Sequence, residues 1–242
     1  MRPQHVPRIN LRYWLGITLA SVFGTNMGDL YAHDSGLAIL PGLGVLGVLC
    51  AMVFIVEHFD TGARELYYWL VIIIIRSGAT NIADYSAYRM RIPALALNAG
   101  LIIMLIVLAV LQRRTTTPEA SPAARLPATG VIYWIAMLTA GVLGTVLGDV
   151  CEHSAGDGPA AVALAAVLAV VLWWRRRSVG PFYWLIVAVA RTAGTAIGDW
   201  LAEDRTLNIG LPFSTLITGL LFVGLLYLWR PRGMTVTASD SL

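Results

Sequence analysis

The chain has 242 residues, 57% of them hydrophobic and 13% charged, and its mean hydropathy of +0.72 excludes an ordinary water-soluble domain of this length. The formal charge is +3, and all 17 basic residues are arginines. No polar stretch is long enough to form a soluble nucleic-acid-binding domain, so the basic excess points to membrane topology and contact with the cytoplasmic leaflet.

Eight apolar runs follow in chain order, at residues 13–30, 37–56, 67–83, 94–111, 132–150, 160–174, 182–200 and 209–229. Each is close to the ~20 residues that a helix needs to cross the hydrocarbon layer. The first run opens a pattern that recurs three more times, so we expect it to be retained rather than removed as a signal peptide. Arg2, Arg8 and Arg12 precede it; Arg64, Arg113, Arg114, Arg125, Arg175, Arg176, Arg177, Arg230 and Arg232 lie at every second connection or at the C-terminal end. The alternate connections hold Arg89, Arg91 and Arg205. By the positive-inside rule both termini are expected in the cytoplasm. Cys50 lies within the second span and Cys151 at the outer end of the fifth, a pattern that supports neither a structural disulfide nor a thiolate metal pair.

An internal repeat organises the chain. Tyr-Trp occurs at Tyr13-Trp14, Tyr68-Trp69, Tyr133-Trp134 and Tyr183-Trp184. Eleven residues after each tryptophan stands a threonine (Thr25, Thr80, Thr145, Thr195), and fifteen after it an aspartate (Asp29, Asp84, Asp149, Asp199). Small residues occupy the tenth and fourteenth places: Gly24 and Gly28, Ala79 and Ala83, Gly144 and Gly148, Gly194 and Gly198. A proline follows near the start of the next run, at Pro41, Pro93, Pro159 and Pro212, where it costs the helix no hydrogen bond. Each unit reads as a polar-striped helix, an outer turn and a plain apolar helix. Two spans per unit make all four copies enter the membrane in one direction, a parallel repeat about an axis along the membrane normal.

The units also pair. Seven residues after the tryptophan, units two and four carry Arg76 and Arg191, where units one and three carry Ser21 and Gly141. Nineteen after it stand His33, Tyr88, His153 and Glu203 in turn. The expected fold is therefore all-α: eight transmembrane helices in four parallel two-helix repeats, forming homologous halves at 1–114 and 129–232. A cytoplasmic linker at 115–128, rich in Pro, Thr and Ala, joins them, and a tail occupies 233–242.

Positions seven, eleven, fifteen and nineteen are successive i, i+4 steps and line one helix face. At ~1.5 Å per residue the aspartate lies about 22 Å from the tryptophan, in the outer part of a ~30 Å layer. Burying an ionisable group there costs about 2.5 to 3.5 kcal/mol on insertion scales and marks a functional site. Carboxylates ~6 Å apart repel by about 3 kcal/mol at an effective dielectric of 20, so shared protons or a bound cation must offset them. Arg76 and Arg191 sit eight residues below the aspartates, about 12 Å along the axis, and read as counter-ions or gates. Asp29, His33, Asp149, His153, Asp199 and Glu203 offer ligands of the kind that suits a divalent metal such as Mn, Zn or Fe. The bland readings are that Gly-Thr-x-x-Gly-Asp is a helix-packing motif, that the threonines bond back to their own helix, and that the aspartates form a structural knot.

The fourfold Tyr-Trp and Gly-Thr-x-x-Gly-Asp pattern resembles a bacterial inner-membrane family of tandem two-helix repeats of unknown function, each with a characteristic tryptophan. The resemblance spans residues 12–229, and unit two departs from it with Ala79 and Ala83 in place of glycines. It implies the topology and a multi-pass location in the inner membrane, and it supplies no substrate. The leading expectation is a transporter or channel for a small cation, a divalent metal, with proton coupling as an option. Its central site would be the four aspartates, with the four threonines as neutral oxygens below. Two other classes compete. One is an intramembrane metal-dependent hydrolase, against which stands the absence of HExxH and GxSxG; the other is a haem-binding electron-transfer bundle ligated by His33 and His153. The pattern favours a non-enzyme, with the lipid bilayer as partner, no nucleic acid, and room for an oligomer.

Overall fold

The computed structural model describes residues 7–60, 65–115, 127, 129–175, 182–205 and 207–229. The interhalf linker, the C-terminal tail and several of the clustered arginines (Arg2, Arg64, Arg125, Arg176, Arg177, Arg230, Arg232) lie outside them, apart from Thr115 and Pro127 at the linker's edges. Among the described residues the secondary structure is helical: α1 (Leu11–Asp34), α2 (Ile39–Phe59), α3 (Leu66–Asp84), α4 (Ala94–Thr115), α5 (Val131–Ala155), α6 (Asp157–Arg175), α7 (Tyr183–Glu203) and α8 (Leu211–Leu228). Pro41, Pro159 and Pro212 fall in first turns and Pro93 immediately precedes α4, as the missing proline N–H requires. The α5–α6 turn is the single residue Gly156, whose φ of +87° is in the region that favours glycine.

Among the described residues seven helices are long and apolar enough to cross a membrane, and α1 does not qualify. At 24 residues α1 is long enough, but buried Arg12, Ser21, Thr25 and Asn26 and three glycines dilute its apolar content. Its neighbours explain how this is tolerated, because α3, α7 and α8 all pack on it.

The odd-numbered helices form a closed ring in which α1 meets α3, α3 meets α5, α5 meets α7 and α7 meets α1. The even-numbered helices lie outside and expose large apolar side chains such as Val48, Ile103, Val170 and Leu220. The contrast is large: 72% of the α5 span is buried inside the protein against 6% of the α2 span. An apolar surface of this extent is stable only against lipid. Each outer helix packs chiefly against the inner helix that follows it in the chain: α2 on α3, α4 on α5, α6 on α7, and α8 back on α1. That one-step offset closes the circle between the two ends of the chain.

Close approach of the inner helices depends on the small residues. A Cβ on Gly28 would lie 2.9 Å from the Ser77 carbonyl oxygen, and one on Gly144 2.8 Å from the Arg191 carbonyl carbon. The glycines are thus packing residues, as small-xxx-small spacing allows. At the α3–α5 seam, alanine takes the place of glycine on α3, and Gly141 faces the Ala79 methyl.

Candidate functional site

Four layers of side chains stack along the axis of the ring. At one end Tyr13, Tyr68, Tyr133 and Tyr183 join hydroxyls in a closed cycle, with distances of 3.1, 2.7, 2.9 and 2.6 Å taken round the ring. Each tryptophan packs on its own tyrosine and on the tyrosine of the preceding inner helix, with ring centroids 5.5 to 6.0 Å apart for Trp69, Trp134, Trp184 and Trp14 on Tyr13, Tyr68, Tyr133 and Tyr183. The Tyr-Trp pairs therefore make an aromatic collar that closes this end, with each aromatic contact contributing about 0.5–1.5 kcal/mol beyond its buried area.

The next layer holds Arg191 and Arg76, both fully buried. Arg191 is directed toward the collar and its Nη2 donates to the Met137 Sδ at 3.3 Å. Arg76 turns the other way. Its guanidinium donates to Thr80 and Thr145 at 2.9 Å each, to Thr25 at 2.5 Å and to Thr195 at 2.6 Å, while its Nε reaches Ser21 at 3.2 Å. All four sequence-expected threonines thus meet on one cation. Thr25 and Thr195 donate their own protons to carbonyls one turn back, at Ser21 and Arg191, and Thr80 and Thr145 make longer contacts of the same kind. Back-bonding and lining the axis are therefore not alternatives: sending the proton to the helix leaves the hydroxyl lone pairs facing inward.

One turn further along lie Asp29, Asp84, Asp149 and Asp199, each half-buried. They lie within Coulombic range of one another: Asp29 with Asp84 and Asp149, Asp149 with Asp84, and Asp199 with Asp29 and Asp149. Arg76 faces Asp29, Asp149 and Asp199 from below. It does so through space, since its nitrogens are spent on hydroxyls; Arg12 and Glu65 form a direct salt bridge of 2.9 Å at the collar end.

The expected metal-ligand set divides. Asp149 and Asp199 come together with Glu152, their ligand atoms all within 4.8 Å of one another. His33 and His153 stand on exposed outer turns, their Nδ1 atoms 3.0 and 2.7 Å from the carbonyl oxygens of Asp29 and Asp149 on their own helices. Glu203 is exposed but within Coulombic range of Asp29, Asp84 and Asp199. After Asp84 the chain continues as a π-helical turn, Tyr85–Arg89, a widening that often accompanies functional sites; this is the unit whose motif departs from the others.

Glu152 is the residue that the sequence reading missed. Eighteen residues after the tryptophan the other units carry Ala32, Ala87 and Ala202, so a glutamate in unit three alone was the available signal. The linear pattern marks the four tyrosines by position, and nothing in it shows that their hydroxyls close on each other.

No curated protein and no solved structure was found to match the chain. Residues 182–233, which contain α7 and α8, match the family model described as a Repeat of Unknown Function (DUF347).

Proposed function

We propose that the protein is a membrane transporter or channel for a small cation, with the half-buried ring of Asp29, Asp84, Asp149 and Asp199 as its binding site. The single observation that carries this reading is the crowding of four acidic groups, joined by Glu152, at one level of a membrane-embedded axis. An ionised carboxylate accepts hydrogen bonds and donates none, so such a cluster needs positive charge beside it, from protons, a bound cation or the field of Arg76. The closest oxygen set, Asp149, Glu152 and Asp199, suits a divalent ion of the Mg, Ca or Mn kind.

In this reading the four units are parallel repeats in two homologous halves, both termini lie in the cytoplasm, and the membrane is the bacterial inner membrane. The acidic ring then faces outward and the aromatic collar faces the cytoplasm. Arg76, seated in the threonines, closes the axis beneath the aspartates and repels a cation that has bound there. Proton-coupled movement would use the same carboxylates.

The test is flux. Wild-type protein in proteoliposomes should carry Mn2+ or Mg2+ across the membrane, and the double variant Asp149→Asn, Asp199→Asn should reduce that flux to the level of empty vesicles. Flux unchanged by the two substitutions removes the proposal.

A further inference from the structure

Arg76 and Arg191 occupy equivalent places, seven residues after Trp69 and Trp184, and their stems cross equivalent glycines. A Cβ on Gly24 would lie 2.6 Å from the Arg76 Cγ, and one on Gly144 2.5 Å from the Arg191 Cβ. Beyond that point they part. Arg76 runs toward the aspartates and places its nitrogens on five hydroxyl oxygens. Arg191 runs toward the collar, where the Nη2 contact is a thioether and, among the described residues, Nε and Nη1 have no hydrogen-bond partner. A fully buried guanidinium with two nitrogens unpaired, three N–H groups in all, is costly, and its own counterpart in the same protein shows the arrangement it lacks.

The reason is one of number. The ring has four threonines and Arg76 takes them all, and a second guanidinium beside it would add like-charge repulsion in a water-poor setting. Two sequence differences decide which arginine wins. Ser21 accepts from Arg76 Nε, while the matching place on α5 is Gly141 and offers no oxygen. Met137 receives Arg191, while the matching place on α1 is Ile17 and has no acceptor. We propose that the ring of Thr25, Thr80, Thr145 and Thr195 is a binding site for a single guanidinium group, filled by Arg76, for which Arg191 and free guanidinium-type cations compete. The inward lone pairs make it an acceptor-only cage for a flat cation with several N–H donors. The site stands whether or not a cation crosses the membrane.

The experiment measures the thermal midpoint of the full-length protein in detergent, titrated with millimolar guanidinium chloride against equal sodium chloride. The variant Arg76→Ala, Arg191→Ala empties the cage, so guanidinium should raise its midpoint while sodium does not, and adding Thr145→Val and Thr195→Val should erase the rise. Wild type and Arg191→Ala should not respond, because Arg76 holds the site. Arg76→Ala alone should need about tenfold more guanidinium than the double variant, since Arg191 leaves only a fraction of the cages open. Equal responses of the double variant to guanidinium and sodium would overturn the proposal, as would Arg76→Ala titrating like the double variant. Should the double variant fail to fold, a structure of Arg76→Gln decides: Arg191 hydrogen-bonded to Thr145 and Thr195 upholds the proposal, and Arg191 still on Met137 sinks it. No arm measures flux, so the outcome is separable from that of the aspartate reading.

Discussion

The same four helices present a tyrosine ring at one end and an aspartate ring at the other, and the two rings solve opposite problems. A phenol both donates and accepts, so four of them around an axis satisfy one another and close into the observed cycle. A carboxylate only accepts, so four of them, each within Coulombic range of at least two others, cannot, and their level depends on a proton, an ion or the field of Arg76. The collar is a self-sufficient joint. In the proposed reading the acidic level binds a cation, and the threonine layer between them, whose lone pairs hold the tethered cation of Arg76, stands chemically midway.

Substitutions should separate these levels by the sign of their effects. The largest is expected at the acidic level, where Asp149→Asn with Asp199→Asn removes flux without unfolding the protein; a protein that loses flux only because it no longer folds would erase the distinction. Next come the packing contacts of the inner ring. Gly144→Ala forces a methyl against the Arg191 backbone and should lower stability by about 1–3 kcal/mol, the usual range for overpacking. Gly47→Ala on α2, with nothing within 4 Å of its added Cβ, should instead be neutral or stabilising by up to about 1 kcal/mol. Denaturation midpoints of the two variants compare ring with periphery directly.

A smaller pair of effects tests the two rings against each other. Tyr133→Phe opens the hydroxyl cycle and leaves its buried neighbours Tyr68 and Tyr183 each with one hydroxyl partner, Tyr13, in place of two, at a cost of about 1–3 kcal/mol. Asp199→Asn, by relieving like-charge repulsion with Asp29 and Asp149, should raise the midpoint by the equivalent of about 1 kcal/mol. If both substitutions destabilise equally, the acidic level is a structural knot and not a site awaiting charge.

The inner stripe was legible because lipid leaves few reasons for polarity in a span, so Thr25, Asp29, Arg76 and their counterparts stand out against an apolar background. The glycines were legible for the same reason, and each faces a neighbouring helix as the spacing suggests. Glu152 was hidden because it sits one residue before His153, off the i, i+4 face, and reaches Asp199 only across the α5–α7 contact. The histidines lie on the same stripe one turn further, at the ends of their helices, where their Nδ1 atoms contact carbonyls of their own last turn.

By itself the sequence determined which helices face inward and at what level each polar group stands, because helical periodicity converts residue spacing into depth and face. Only the tertiary structure decided who meets whom. The one-step offset of the outer helices, the closure of four phenols into a cycle, and the opposite directions of Arg76 and Arg191 all follow from distances between helices, which no single helix encodes. The last of these has the plainest cause: two equivalent arginines share one ring of oxygens, and the ring has room for one.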